Sequence, residues 1–204
     1  FKKNMHPPIA KKYAKTLVMH GDTRIDQYYW LKDRNDSEVI KYLELENAYL
    51  ANQMSQSKQL ENSIYKEIIS RIPQVDMTVP YLKNGYYYYQ RFLEGKEYPI
   101  YARKFDTLDS PEQILIDANI ESLNQEYYFV GGLEISPDNQ FMVIGEDKFS
   151  RRLFSLRIKN LITGDFLSDK ISNTQGSAVW YNDNKTILYV SKDPITLRSD
   201  KVYK

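Results

Sequence analysis

Cysteine is absent from the 204 residues. That single absence excludes disulfides, thiolate metal sites and a cysteine nucleophile. It leaves the redox compartment open, since a chain without thiols suits either environment. Histidine is almost as scarce, with only His6 and His20. His6 stands in a proline-flanked terminus. His20 precedes Gly21-Asp22 and reads as a hydrogen-bonding structural residue rather than a base. No basic excess exists either: 28 Lys+Arg against 27 Asp+Glu leave a net charge of +1, which argues against a nucleic-acid partner. No apolar run approaches the roughly 18 residues of a membrane span. Glycine numbers only eight, and Gly131-Gly132 is isolated, without the glycine-rich loop that would cradle a phosphate.

The catalytic motifs are missing as well. No serine sits in the Gly-x-Ser-x-Gly elbow that an α/β-hydrolase uses to expose its nucleophile; Ser177 follows Gly176 but has Gln175 two positions before it. There is no His-Glu-x-x-His pair, and the acidic residues are dispersed, so neither a metal nor a cofactor is expected. Glu126, Glu146 and Asp147 are the carboxylates closest to an acid/base grouping, against the commoner fate of solvation or ion pairing.

What is abundant is tyrosine, 18 residues of an aromatic fraction of 14%. Tyrosine favours half-buried sheet faces, where the ring packs and the hydroxyl stays wet. Residues 36–72 nonetheless carry a helical period. Val39, Leu43, Leu50 and Met54 form one stripe, and Leu60, Ile64, Ile68 and Ile72 a second, with a break at Ser55-Gln56-Ser57. Asp36 or Ser37 can cap the first helix, Glu38 suits its positive end, and Pro73 stops the second. The stripes need cover, either from each other or from a surface outside the two helices. The preceding segment, residues 19–33, reads as an ordered loop or short helical turn anchored by Tyr28, Tyr29 and Trp30.

Strand signals dominate after Pro73. Asn84-Gly85 is a tight-turn dipeptide between Tyr81-Leu82 and the run Tyr86 to Phe92, and Tyr98 to Phe105 is a further run. Leu133 to Ile135 and Phe141 to Ile144 flank the turn Ser136-Pro137-Asp138-Asn139; Leu153 to Ile158 follows. The same figure returns 45 residues later as Ala178 to Tyr181, Asn182-Asp183-Asn184 and Thr186 to Val190. Residues 106–124 fit this repeat as an insertion. A period of 40–50 residues with several strands per unit is that of a β-propeller blade, with an ordinary sandwich as the alternative. Two full periods and part of a third cannot close a ring, so open sheet edges, with self-association through them, are expected. Arg151-Arg152, after Asp147-Lys148-Phe149-Ser150, is the most prominent charge cluster. It reads either as a contact across a domain boundary or as a hairpin-end salt bridge to Asp147.

A family resemblance then adds to this picture. The run from His20 through Asp33, His-Gly-Asp-Thr-Arg-Ile-Asp-Gln-Tyr-Tyr-Trp-Leu-Lys-Asp, resembles the N-terminal signature of oligopeptidase B (protease II), a branch of the prolyl oligopeptidase family of serine peptidases. Lys66 to Pro73, Pro80 to Tyr86, Gly131 to Leu133, Glu146 to Arg152, Arg157 to Gly164 and Asp193 to Leu197 resemble it in the same order. The resemblance implies a mainly β chain with an N-terminal α-helical arm over residues 1–74. Residues 75–204 would then be the first two to three blades of a seven-bladed propeller that caps a C-terminal α/β-hydrolase domain. It implies oligopeptide substrates cleaved after Arg or Lys, and a Ser-His-Asp triad carried by the hydrolase domain, so that no catalytic residue is assigned within these 204. Glu126, Arg151 and Arg152 are the candidate interdomain contacts. Neither a nucleic acid nor a membrane is an expected partner. The resemblance implies a cytoplasmic enzyme, or a periplasmic one if a leader preceded Phe1. The reading from a different class is a freestanding propeller-type module that binds a peptide or protein without catalysis.

Overall fold

A computed structural model describes residues 5–204. The chain divides into two compact units between Ile72 and Pro73.

In the first unit, β1 (Lys15–Met19) and β2 (Asp22–Asp26) form an antiparallel hairpin. This corrects the loop expected over residues 19–33. His20 and Gly21 both have positive φ, 52° and 80°, so His-Gly closes a two-residue turn of the kind that Asn-Gly usually provides. Among the described residues the His20 side chain makes no hydrogen bond; its contribution is backbone conformation. Both strands are largely exposed, and without a buried face their alternation was not visible. The expected helical turn follows at Tyr29–Lys32. The Trp30 indole donates to the Lys11 carbonyl at 3.0 Å and meets the Tyr13 ring edge-on.

The helices form as the sequence predicts. α1 (Ser37–Gln53) is capped by Asp36, whose carboxylate accepts the Glu38 amide. A 3-10 turn at Met54–Gln56 separates it from α2 (Lys58–Ser70). The two stripes do not cover each other. Val39 is buried, but Leu43, Leu50, Met54, Leu60, Ile64, Ile68 and Ile72 remain 47–62% exposed.

The second unit is a run of antiparallel strands in chain order. β3 (Tyr81–Lys83), β4 (Tyr86–Arg91), β5 (Ile100–Phe105) and β6 (Glu112–Asp117) make a four-stranded sheet. β6 and the helical turn α3 (Ala118–Glu121) occupy the stretch expected as an insertion. A six-stranded sheet follows: β7 (Phe129–Ile135), β8 (Phe141–Asp147), β9 (Phe154–Asn160), β10 (Phe166–Trp180), β11 (Ile187–Lys192) and β12 (Ser199–Tyr203).

β10 belongs to two structural repeats. Phe166 to Thr174 pair with β9, Ala178 to Trp180 pair with β11, and the register breaks between Thr174 and Ala178. Gly176 lies in that break with φ 96°. The described residues therefore hold two four-stranded units and three strands of another. Successive side chains of β8 face opposite sides. Met142 and Ile144 join Tyr88, Leu115, Ile116, Ile135 and Leu161 in one core, and Val143 joins Leu156, Ala178 and Ile187 in another. Sheets stacked face to face on both sides of β8 are the arrangement of neighbouring propeller blades.

The repeated turns stitch these blades together. Asn84, Asn139 and Asn184 all have left-handed backbone, φ 48°, 62° and 59°. The Asn139 side chain donates through Nδ2 to the Asn84 carbonyl at 3.1 Å, and the Asn184 side chain accepts the Asp138 backbone amide at 2.9 Å. Arg103 is 2% exposed, lies over the Tyr86 ring and donates to the Asn139 carbonyl.

Asp183 makes the third of these turns pH-sensitive. Its carboxylate accepts the Thr186 hydroxyl at 2.6 Å and the amides of Lys185 and Thr186, which together hold its pKa down to about 2 from an ordinary 3.8. A carboxyl depressed on folding contributes stability that is present above its unfolded pKa and disappears as pH falls through the folded one. The turn at residues 182–186 is thus expected to lose amide-exchange protection between the ordinary carboxylate pKa and about pH 2. An NMR titration checks this, and Asp183→Asn removes the response.

Candidate functional site

The charged residues singled out in the sequence gather at one end of the second sheet. Phe129 pairs with Asp147 at the start of β7 and the end of β8. The crossover 118–128 and the loop 148–153 therefore leave the sheet on the same side. Glu126 is exposed on the crossover, Arg151 is half-buried and Arg152 exposed on the loop. The β11–β12 loop, residues 193–198, leaves from the same end of the antiparallel array.

Asp147 organises the arginine loop by a route that differs from the expected salt bridge. It is 1% exposed, and its carboxylate accepts the backbone amides of Phe149 at 2.9 Å and Arg152 at 2.7 Å. Ser150 and Arg152 take φ of 55° and 54° to close the loop. Among the described residues neither Arg151 nor Arg152 is in an ion pair. Lys192 donates to the Arg152 carbonyl at 2.9 Å and ties this loop to the end of β11.

Glu146, its neighbour on β8, faces the other side. It is 2% exposed and accepts Arg157 through both carboxylate oxygens, at 2.5 and 2.7 Å, and the Tyr128 hydroxyl at 2.5 Å. Arg157 also donates to Glu121 at 2.6 Å and lies over the Phe166 ring. Burial, then the bond to the Glu146 carboxylate, raises the Tyr128 pKa far above its usual value, so the phenol stays protonated and donates. Glu146 and Asp147 consequently cannot act as an acid/base pair: they point to opposite faces and each is fully engaged.

A cleft of 260 Å³ opens beside this network, lined by Glu146, Lys148, Phe149, Leu153, Ser155, Arg157 and Lys170. Its uncompensated charge is positive, and Phe149, 80% exposed, forms its rim. Among the described residues no group of three His, Asp or Glu side chains is placed to hold a metal ion. The arrangement suits polar contact and positioning. It contains no nucleophile paired with a base.

Sequence reasoning missed Glu121, Tyr128 and Arg157. One signal was available: Glu146 continues the apolar run Met142-Val143-Ile144-Gly145, and a carboxylate carried into a buried strand requires a charged partner.

The profile of the prolyl oligopeptidase N-terminal β-propeller domain matches residues 7–204. The chain belongs to this family. It is 40% identical over 213 residues to dipeptidyl aminopeptidase BI of Pseudoxanthomonas mexicana, covering 96% of the chain and 30% of that relative. It is 35% identical over 196 residues to protease 2 of Moraxella lacunata, covering 93% and 28%. The solved structure of oligopeptidase B from Leishmania major superposes with a TM-score of 0.87 at 32% identity, over 98% of this chain and 30% of that one. The prolyl oligopeptidase-family chain thus spans less than a third of the length of these relatives, and its sheets are propeller blades.

Proposed function

We propose that these residues form the non-catalytic N-terminal portion of an oligopeptidase B-like serine endopeptidase that cleaves short peptides after Arg or Lys, its propeller serving as a size-selecting cap. One observation carries the reading: the match to oligopeptidase B runs through nearly the whole chain yet through less than a third of that enzyme. Residues 1–74 act as an arm, and the exposed stripes of α1 and α2 are apolar faces for a C-terminal hydrolase domain to cover. Glu126, Arg151 and Arg152 provide polar contacts across the domain boundary. Contacts of that kind are weak enough to break when the domains open for substrate. The parent enzyme works in the cytoplasm.

The 40% identity to a protein named dipeptidyl aminopeptidase BI favours a second reading, removal of dipeptides from an N-terminus. Mass spectrometry of digests made with the full-length protein separates the two. A peptide with one internal Arg yields two fragments meeting after that Arg if the endopeptidase reading holds, and successive dipeptides if the second holds. No cleavage of any peptide returns the chain to the class of binding modules. Charge reversal at Glu126, Arg151 or Arg152 is expected to alter kcat/KM and the domain spacing seen by solution scattering. If all three leave both unchanged, these residues are not interdomain contacts.

A further inference from the structure

The crossover between the first two blades has both ends fastened to one ion pair. Glu121 closes its helical turn α3 and Tyr128 ends the crossover, and each bonds the Arg157–Glu146 pair. The six residues between them, Glu126 included, are a loop with two feet on one support. The next residue of β8, Asp147, holds the arginine loop through the Phe149 and Arg152 amides. The dipeptide Glu146-Asp147 is therefore a hub: one side chain fixes the crossover, the other fixes the loop that carries Arg151 and Arg152.

We propose that Arg157 is a positioning residue, which through Glu121 and Glu146 sets the spacing of Glu126 from Arg151 and Arg152 and so governs opening of the cap. The proposal rests on the cap reading above. The planar guanidinium is what the task requires: Nε and Nη2 serve both oxygens of Glu146, and Nη2 also reaches Glu121. A lysine keeps the charge without the fork. The limb to Glu121 is separable from the buried pair, because Glu121 is 24% exposed where Glu146 is 1% at the side chain. Losing that limb frees the first foot of the crossover and leaves the buried charges matched.

The test uses the full-length protein with Glu121→Gln and Arg157→Lys. Glu121→Gln is expected to keep the melting temperature within about 2 °C, since a partly exposed pair contributes little. Amide exchange across residues 122–127 is expected to rise, with the Met142–Ile144 strand unchanged. The ratio of kcat/KM for a long peptide to that for a tripeptide amide is expected to increase about three- to tenfold, the scale of a modest coupling energy. Arg157→Lys moves both readouts in the same direction. A merely structural residue would shift both substrates alike. Unchanged exchange in both variants overturns the proposal, and so does an unchanged length ratio in an enzyme that cleaves short basic peptides. Should the wild-type protein cleave no such peptide, the cap reading itself fails, and the exchange measurement alone then decides whether the clamp exists.

Discussion

Gly145→Ala is expected to destabilise the propeller unit on the order of 3 kcal/mol, lowering its melting temperature by about 6–12 °C. A Cβ at Gly145 would stand 1.9 Å from the Gly176 carbonyl oxygen and 2.7 Å from the Gly176 Cα. These are backbone atoms of β10, where the strand passes from one blade to the next over β8, and no side-chain rotation can relieve the overlap. Gly132 meets the same carbonyl, at 2.6 Å from its hypothetical Cβ. The control is Gly164→Ala, which has open space around it and only a left-handed φ of 83° to oppose it; about 1 kcal/mol is expected there. Thermal or urea unfolding followed by tyrosine and tryptophan fluorescence measures both. Equal effects at the two positions would mean that β10 does not cross β8 as closely as described.

Arg157→Met carries the second large effect. It strands Glu146, buried and hydrogen-bonded, without its countercharge, and breaking such a pair from one side typically costs about 3–5 kcal/mol. The same physics makes the pair replaceable. A triple variant, Arg157→Met with Glu146→Leu and Tyr128→Phe, removes every polar group of the buried cluster at once, and most of the lost stability is expected to return. Urea unfolding of both variants checks this. Equal losses in the single and triple variants would show that packing around Arg157, including its stack on Phe166, matters more than the stranded charge.

How far the sequence disclosed this molecule depended on whether each feature had a local cause. α1 and α2 were legible because their stripes, the Asp36 cap and Pro73 lie within a few residues of what they determine. The blade repeat was legible because Asn84, Asn139 and Asn184 each take a left-handed turn that few residue types adopt readily. The β1–β2 hairpin escaped notice because its strands bury neither face and His-Gly is an uncommon way to write a turn. β6 looked like an insertion because an outer blade strand has weak apolar alternation. The site divided in the same way. Sequence brought out the charged loop, and the topology places Glu126 at the same end as Arg151 and Arg152. It could not disclose Arg157, whose partners lie 36 and 11 residues away and meet it only through strand register. The cause of Gly131-Gly132 is equally non-local: a Cβ at Gly131 would meet the Phe154 ring, and one at Gly132 the Gly176 carbonyl.

The most direct test of a size-selecting cap is a length series. Peptides of increasing length, each with one Arg, are offered to the full-length protein together with a folded protein bearing the same Arg in an exposed loop. Steep loss of kcat/KM with length and no cutting of the folded substrate are predicted, with residues 1–204 alone turning over nothing. Cleavage of the folded protein at a rate comparable to the shortest peptide would contradict the account.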